Sequence, residues 1–360
     1  MRVNRIVLIL FVILAILLLI ATTATILTGT NSFLFKDDMS SRENVSIAVV
    51  GDVMFARNMA GVLSMDSSPF AGVSNVTSNV DLLLINFENA ATYSENAVKS
   101  DIPFKCNPEY VPLARANNNT VAALANNHVM DYGYVGMNDT IAYLKDAGIT
   151  TIGVGNSEDE AHQAVTQEIN GRKVTILNYM DSSSFTEYPY EMMPYANGSS
   201  PGYSIYDSED AQKQIAENND SDIIIVYMHF GNEYMHAPNE AQQLIAHELI
   251  DYGADVVVGT HPHVAQGVEM YNGKPIFYSL GNFMFDLANP ETVEDYFVQI
   301  DLIGGTGVCT VYPVYIVGYL PQYMDEDSGN AFLNGLYPNA DEFEVNNGIG
   351  KLSFNLTDGD

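Results

Sequence analysis

Positive charge is scarce in this chain. Its 360 residues include 14 Lys and Arg against 45 Asp and Glu, for a formal net charge of −31. A surface of that sign repels a polyphosphate backbone at every approach, which argues against nucleic acid as a partner. The simplest account of the acidity is a solvated surface that keeps an exported protein soluble. Cysteine is nearly absent: Cys106 and Cys309 are the only two, too few for a disulfide framework and too far apart for a metal-binding CxxC. They make either one long-range disulfide or two small core residues. Internal repeats are missing, and nothing in the composition suggests disorder.

What the chain does have is one long apolar run. Ile6 to Thr28 carries no charge, and at ~1.5 Å per helical residue it spans the ~30 Å hydrocarbon core of a bilayer. The run exceeds the apolar core of a cleavable secretion signal, so residues 1–30 are expected to be an uncleaved membrane anchor. Arg2 and Arg5 precede it, while Lys36 and Arg42 beyond it lie among Asp37, Asp38 and Glu43. The positive-inside bias then leaves the N-terminus cytoplasmic and everything after about Asn31 outside, as in a single-pass protein of the cell membrane. Sequons at Asn44, Asn75, Asn118, Asn138, Asn197, Asn219 and Asn355 permit glycosylation there without requiring it.

After a polar linker (31–44), short β-branched runs alternate with helical stretches, an α/β pattern. Strands are expected at Val45–Val50, Leu82–Asn86, Val121–Leu124, Thr150–Val154, Lys173–Asn178, Ile223–Tyr227, Asp255–Val258, Pro275–Ser279, Phe297–Leu302 and Val308–Val317. Helices fit at about 108–117, 135–147, 156–166, 209–217 and 239–252, the last opened by Pro238-Asn239. The main domain is expected over 45–320, with 321–360 as an extension packed upon it. The Tyr-, Pro- and Ser-rich stretch Ser182–Ser200 reads as a long surface excursion.

Polar residues fall directly after these apolar strands, where ligands of open α/β sheets gather. Asp52 ends IAVVGD, Glu88 follows LLLINF, Asn127 and His128 follow VAALAN, His229 follows IIIVYM, and His261 and His263 follow VVVGT. In an extended segment the two histidines of His261-Pro262-His263 project to the same side and can meet one ion, although two hydrogen-bonded surface histidines would look the same. Asp52 could equally cap a helix. Glu88 has a weaker bland reading, because a carboxylate on so apolar a strand avoids burial unless paired or metal-bound. Asn127 offers a neutral ligand oxygen or an Asx turn. His128 suits proton donation to a leaving group, with Asp131 three residues on to orient it. Arg57 could neutralise an anionic substrate or form a surface ion pair, and Glu233 and Gln266 sit beside the proposed ligands or simply serve turns. His162, His236 and His247 lack partners at ligand spacing. Mixed nitrogen and oxygen donors suit Mn, Zn or Fe better than Ca or Mg, and two such ions would support an in-line displacement at phosphorus.

Six blocks keep company here: GDVMFAR (51–57), NFEN (86–89), ANNHVMDYG (125–133), HFGNEY (229–234), GTHPHVAQG (259–267) and YSLGNFMFD (278–286). In this order the set resembles the CapA/PgsA family of capsule-synthesis proteins. The resemblance implies a calcineurin-like metallophosphatase fold, a four-layer α-β-β-α sandwich of two mixed sheets. It implies two divalent ions held by Asp52, Glu88, Asn127, His229, His261 and His263, with His128 as acid, Arg57 near substrate, and Asn282 and Asp286 at the edge of the site. It also implies a part in making or anchoring poly-γ-glutamate or a related anionic surface polymer beside a membrane-bound ligase. Ordinary phosphoesterases begin with Asp-x-His, whereas Asp52-Val53-Met54 places a methionine at the third position. Three functions therefore stand side by side. One is a metal-dependent hydrolase or transferase, another a non-catalytic accessory scaffold of a polymer synthase. The third is a secreted 5′-nucleotidase-like phosphoesterase, for which Tyr188, Tyr190 and Tyr195 could supply the base-stacking platform.

Overall fold

Every strand at the centre of the two sheets is apolar on both faces, as strands sandwiched between two other layers must be. The structure, a computed structural model, describes residues 43–65, 68–98, 102–182, 194–287, 289–337 and 343–356. The expected anchor at 1–30 lies outside these residues. Among those described, no helix is long and apolar enough to cross a membrane.

The first sheet starts with β1 (Val45–Val53), β2 (Leu82–Phe87), β3 (Thr120–Ala123) and β4 (Ile149–Ile152), parallel neighbours in that order. The chain then builds a six-stranded second sheet from β5 (Val165–Ile169), β6 (Arg172–Met180), β7 (Ile223–His229), β8 (Val256–Thr260), β9 (Val268–Tyr271) and β10 (Lys274–Phe277), in the order β9-β10-β8-β7-β6-β5. It returns to the first sheet with β11 (Asn282–Met284), β12 (Glu294–Ile303), β13 (Thr306–Val317), β14 (Leu320–Tyr323), β15 (Glu344–Asn346) and β16 (Ile349–Asn355). That sheet reaches ten strands in the order β15-β16-β13-β12-β1-β2-β3-β4, with β11 beside β1 and β14 beside β13. Both sheets mix parallel and antiparallel pairs.

Alternation along the strands builds the layers. Ile47 and Val49 of β1, Leu82 and Leu84 of β2, Ile223, Ile225 and Tyr227 of β7, and Val256 and Val258 of β8 share one core between the sheets. The intervening residues Ala48 and Val50, and Leu83 and Ile85, face outward to a second core that receives Met137 and Leu144 of helix α1 (Gly133–Asp146). Ile224, Val226 and Val257 face a third, closed by helices α2 (Ser208–Glu217) and α3 (Glu240–Tyr252). The result is an α-β-β-α sandwich. Helix α3 begins as its sequence demands: Asn239 and Gln242 form a reciprocal capping box, and Gly253 ends it at φ 116°.

Several boundaries differ from the sequence reading. The helix expected at 108–117 is a 3-10 turn over Pro108–Ala114, with Pro112 inside it. The helix expected at 156–166 ends at Ala161. Val165–Ile169 is instead an edge strand, turned back onto β6 through Asn170-Gly171, both at positive φ. The stretch after 320 supplies helix α4 (Glu326–Leu336), whose Leu333 and Leu336 enter the inter-sheet core, and strand β16, hydrogen-bonded along β13. Cys106 lies in the helix-covered core of the first sheet and Cys309 in the inter-sheet core, both as free thiols. Burial pushes the Cys106 thiol up to about 12, so neither the position nor the chemistry suits a disulfide or a ligand.

At the end of the sandwich where the described chain begins, Arg172 is wholly buried. Its Nε donates to the Glu43 carbonyl at 3.1 Å and Nη2 to the Gly304 carbonyl at 2.8 Å, fastening the start of β1 to the turn after β12. Replacing Arg172→Met removes both of these charge-assisted hydrogen bonds. We expect a loss of roughly 2–3 kcal/mol, seen as a lower urea midpoint at unchanged slope.

Candidate metal centre

The centre depends on a miscount in the first strand. Val49 of β1 pairs with Leu84 of β2, yet the next pair is Asp52 with Asn86, so β1 advances three residues where β2 advances two. This is a β-bulge. Without it, strict alternation would send Asp52 outward with Ala48 and Val50; with it, Asp52 turns into the space between the sheets. Gly51 makes this possible, because a Cβ there would stand 2.1 Å from the Gly281 carbonyl oxygen. The Val50 carbonyl takes a hydrogen bond from the Tyr227 hydroxyl of the opposite sheet at 2.5 Å. Burial, then the charges of Asp52 and Glu88, hold that hydroxyl's pKa well above the ordinary tyrosine range, so it remains a donor.

Ligand atoms of Asp52, Glu88 and His229 converge within 4.8 Å of one another, all three side chains buried. His229 ends β7 with the parity of Tyr227, and therefore faces the first sheet. Its Nε2 lies 3.0 Å from Asn127 Oδ1, and its Nδ1 lies 3.2 Å from Thr260 Oγ1. Asn86 links the set: its Nδ2 donates to Asp52 Oδ1 at 2.7 Å and to Glu88 Oε2 at 3.3 Å, and Asn126 Nδ2 donates to its Oδ1 at 3.0 Å. Composition alone gave no reason to choose Asn86. Its parity with Leu82 and Leu84 does, since that parity faces the second sheet.

His261-Pro262-His263 is not extended. His261 sits at φ 98° and His263 at φ 56°, left-handed conformations that a non-glycine residue holds only under constraint from its surroundings. The bend divides the two rings. His261 lies against His229, ring centroids 4.6 Å apart, and 6.2 Å from His263. His263 turns to the carboxylates instead: Nδ1 is 3.2 Å from Asp52 Oδ2, and Nε2 is 3.8 Å from Glu88 Oε1. Glu88 thus lies near both His229 and His263.

His128 approaches from the third strand. Its Nε2 is 4.0 Å from Glu88 Oε1, while Nδ1 meets Asp131 Oδ2 at 2.7 Å. The Phe104 ring stacks flat on the imidazole at 3.6 Å, and the Phe104 N–H binds the same Asp131 oxygen at 2.7 Å. Arg57 lies at the outer side of Phe104, Cζ 4.5 Å from the ring centroid, paired with Asp286, which also accepts from Asn58 N. Glu233 is exposed on the turn after β7, and Gln266 is spent on the Met235 and Ala237 carbonyls. Asn282 is fully buried behind His263, its Oδ1 3.1 Å from that ring's Nδ1. Tyr188 and Tyr190 lie outside the described residues, and Tyr195 packs against the outer core. His162 pairs with Asp210 and His247 with Glu269, both away from the centre. Met54 is buried in the helix-covered core and supplies no donor between the sheets.

The donors suit a divalent cation. Asp52 and Glu88 are both 0% exposed, a burial that costs several kcal/mol per charge unless a cation compensates it. Asp52 Oδ2 accepts no hydrogen bond, and neutral imidazole, amide oxygen and carboxylate together are a transition-metal donor set.

An α-β-β-α sandwich with carboxylates and imidazoles gathered at its strand ends is the class this chain belongs to. Within it, the chain is a member of the family described as bacterial capsule synthesis protein PGA_cap, whose family model matches residues 46–287. It is 34% identical over 300 residues to the PGA biosynthesis protein CapA of Bacillus subtilis (strain 168), covering 82% of this chain and 76% of that one. It is 32% identical over 286 residues to the capsule biosynthesis protein CapA of Bacillus anthracis, covering 76% and 68%. Among solved structures, a calcineurin-like phosphoesterase, YfkN from Bacillus subtilis, aligns at 14% identity with a TM-score of 0.40 over 79% of this chain and 89% of that one. A hypothetical protein from Thermus thermophilus aligns at 16% identity with a TM-score of 0.43, over 77% and 96%.

Two measurements test this layout. Tyr227→Phe leaves the Val50 carbonyl buried without its donor and should lower stability by about 1–3 kcal/mol in urea unfolding. Asp295, fully buried beneath the Gly281-Asn282 turn, has its carboxyl pKa held well above the ordinary range by burial, and the backbone N–H groups of Asn282 and Ala265 only partly offset this. As pH rises past about 4 the unfolded chain ionises this group while the folded one keeps the proton, so its contribution to stability falls. Asp295→Asn removes that slope, and the variant's stability relative to wild type should rise between about pH 4 and 8.

Proposed function

We propose that this chain is a membrane-tethered, extracytoplasmic capsule-synthesis protein that acts on a poly-γ-glutamate-type polymer or its precursor through a divalent metal centre. The convergence of Asp52, Glu88 and His229 between the sheets, in a chain that matches capsule-synthesis relatives over most of its length, supports this reading. Asp52, Glu88, Asn127, His229, His261 and His263 would hold the metal, most simply as two ions with Glu88 shared. When bound, such ions supply Lewis-acid stabilisation of negative charge developing at a reacting phosphoryl or carbonyl group.

The chain's own residues supply the rest. Asp131 holds the Nδ1 side of His128, leaving Nε2 directed to the centre to give a proton to a leaving oxygen or nitrogen. The stack on Phe104 keeps that ring in one orientation. Arg57, a cation at the rim of a strongly acidic protein, would receive an anionic group of the substrate in exchange for Asp286. A polyanion must otherwise be screened by counterions to approach. A membrane-bound polymer ligase is the partner such a role requires.

Burial of Met54 in the outer core favours a second reading, an accessory scaffold whose reduced metal set binds without turnover. Metal analysis of the full chain separates these. We expect stoichiometric Mn, Zn or Fe in wild type and loss of most of it in Glu88→Gln and His261→Ala, with hydrolysis or transfer on phosphoester or γ-glutamyl substrates that disappears in the same variants. Wild type without metal would sink the enzymatic reading. Metal without turnover on either substrate class would leave the scaffold.

A further inference from the structure

Asn282 is fully buried, and both hydrogens of its amide are spent inside the protein. Its Nδ2 donates to the main-chain carbonyls of His263 at 2.9 Å and Thr292 at 3.0 Å. Both partners can only accept, so the amide has one possible orientation: nitrogen toward the carbonyls, oxygen toward His263 Nδ1 at 3.1 Å. An amide oxygen is likewise only an acceptor. The proton of the neutral imidazole therefore sits on Nδ1, and the negative charge of Asp52 Oδ2, 3.2 Å from the same nitrogen, favours it there too. The lone pair is left on Nε2, the nitrogen that faces Glu88 Oε1. In water a free imidazole prefers the opposite tautomer, with Nε2 protonated and unable to bind a metal.

The amide is itself held from behind. Gly281 adopts φ 73°, and a Cβ there would fall 1.8 Å from Asp295 Oδ1, so the turn is pressed against a buried side chain. The Gly281 carbonyl in turn accepts from Asp52 N at 3.0 Å. One turn thus carries the backbone of Asp52 and the tautomer of His263 together.

We propose that Asn282 is a positioning residue that locks His263 as the Nδ1–H tautomer and so keeps Nε2 available as a metal donor. This deepens the metal-centre reading above and rests on it for the donor role, whereas the tautomer itself is a property of the metal-free chain. Partners that orient a ligating histidine in this way typically contribute 10–100-fold to metal affinity.

The test is long-range proton–nitrogen correlation NMR on the full chain, labelled with ¹⁵N-histidine and metal-free. His263→Gln assigns the ring by loss of its signals. Wild type should show Nδ1 protonated and Nε2 bare. Asn282→Leu should shift the ring toward the Nε2-protonated form and weaken Zn or Mn binding about 10–100-fold. Asn282→Asp, which still accepts from Nδ1, should retain the tautomer and bind more tightly than the Leu variant. A wild-type ring protonated on Nε2 overturns the proposal outright, whether or not the variants fold. An unchanged tautomer in Asn282→Leu with equal metal loss in both variants overturns it as well. If wild type shows the expected tautomer but binds neither metal, the metal-centre reading fails while the tautomer lock stands.

Discussion

The hydrogen bond from Tyr227 across the inter-sheet space to the Val50 carbonyl ties the most consequential irregularity of the fold to its most regular part. A bulge turns a carbonyl out of its ladder, and a carbonyl so exposed inside a protein needs a donor. Tyr227 supplies one from the middle of β7, two residues before His229. The same contact therefore fixes where β1 turns Asp52 inward and how far β7 stands from it. Sheet separation is set by the packing of Ile47, Val49, Ile225 and Val258, and the tyrosine converts that separation into a defined distance between two metal-type donors.

From that tie the remaining geometry follows by parity. Leu82, Leu84 and Asn86 share a face, so the amide of Asn86 arrives beside Asp52 and Glu88 without any special turn. Sheet two delivers His229 on the same principle, and the bend at His261-Pro262-His263 then sends one ring to His229 and the other to the carboxylates. The strain of two left-handed histidines is supported by Asn282, which grips the His263 carbonyl, and by Tyr234 N, which binds the Pro262 carbonyl at 2.8 Å. Outward from the two buried carboxylates stand His128, the Phe104 ring stacked on it, and Arg57 paired with Asp286.

Much of this was legible in the sequence because a wholly apolar strand rarely ends on a buried charge or imidazole unless something there requires one. Glu88 after LLLINF and His229 after IIIVYM are the clearest cases, and both lie where the pattern put them. The layered architecture was legible for the same reason: runs apolar at every position need two covered faces. Three features were not. The bulge is invisible because it depends on Gly51 meeting Gly281, a contact between distant segments. The His261 bend reverses a local preference, since the residue before a proline is ordinarily extended, and only tertiary contacts can enforce the reversal. The strand Val165–Ile169 was missed, its first two residues falling in a helical reading over 156–166, although Asn170-Gly171 was a usable hairpin signal.

Met54 shows why a motif comparison and a structure can weigh the same residue differently. In the sequence it is a missing histidine, a gap in a ligand set. In the structure it is part of the outer apolar core, beside Phe55 and Phe87, and its sulfur accepts the Ala56 N–H at 2.9 Å. The side chain after the bulge has been committed to packing, so β1 contributes Asp52 alone. The imidazoles nearest Asp52 then come from the second sheet's side, His229 and His263. The Asn282 amide, fully buried, stands 3.1 Å from His263 Nδ1, so the turn that holds the backbone of Asp52 through the Gly281 carbonyl also sets the orientation of one of these rings.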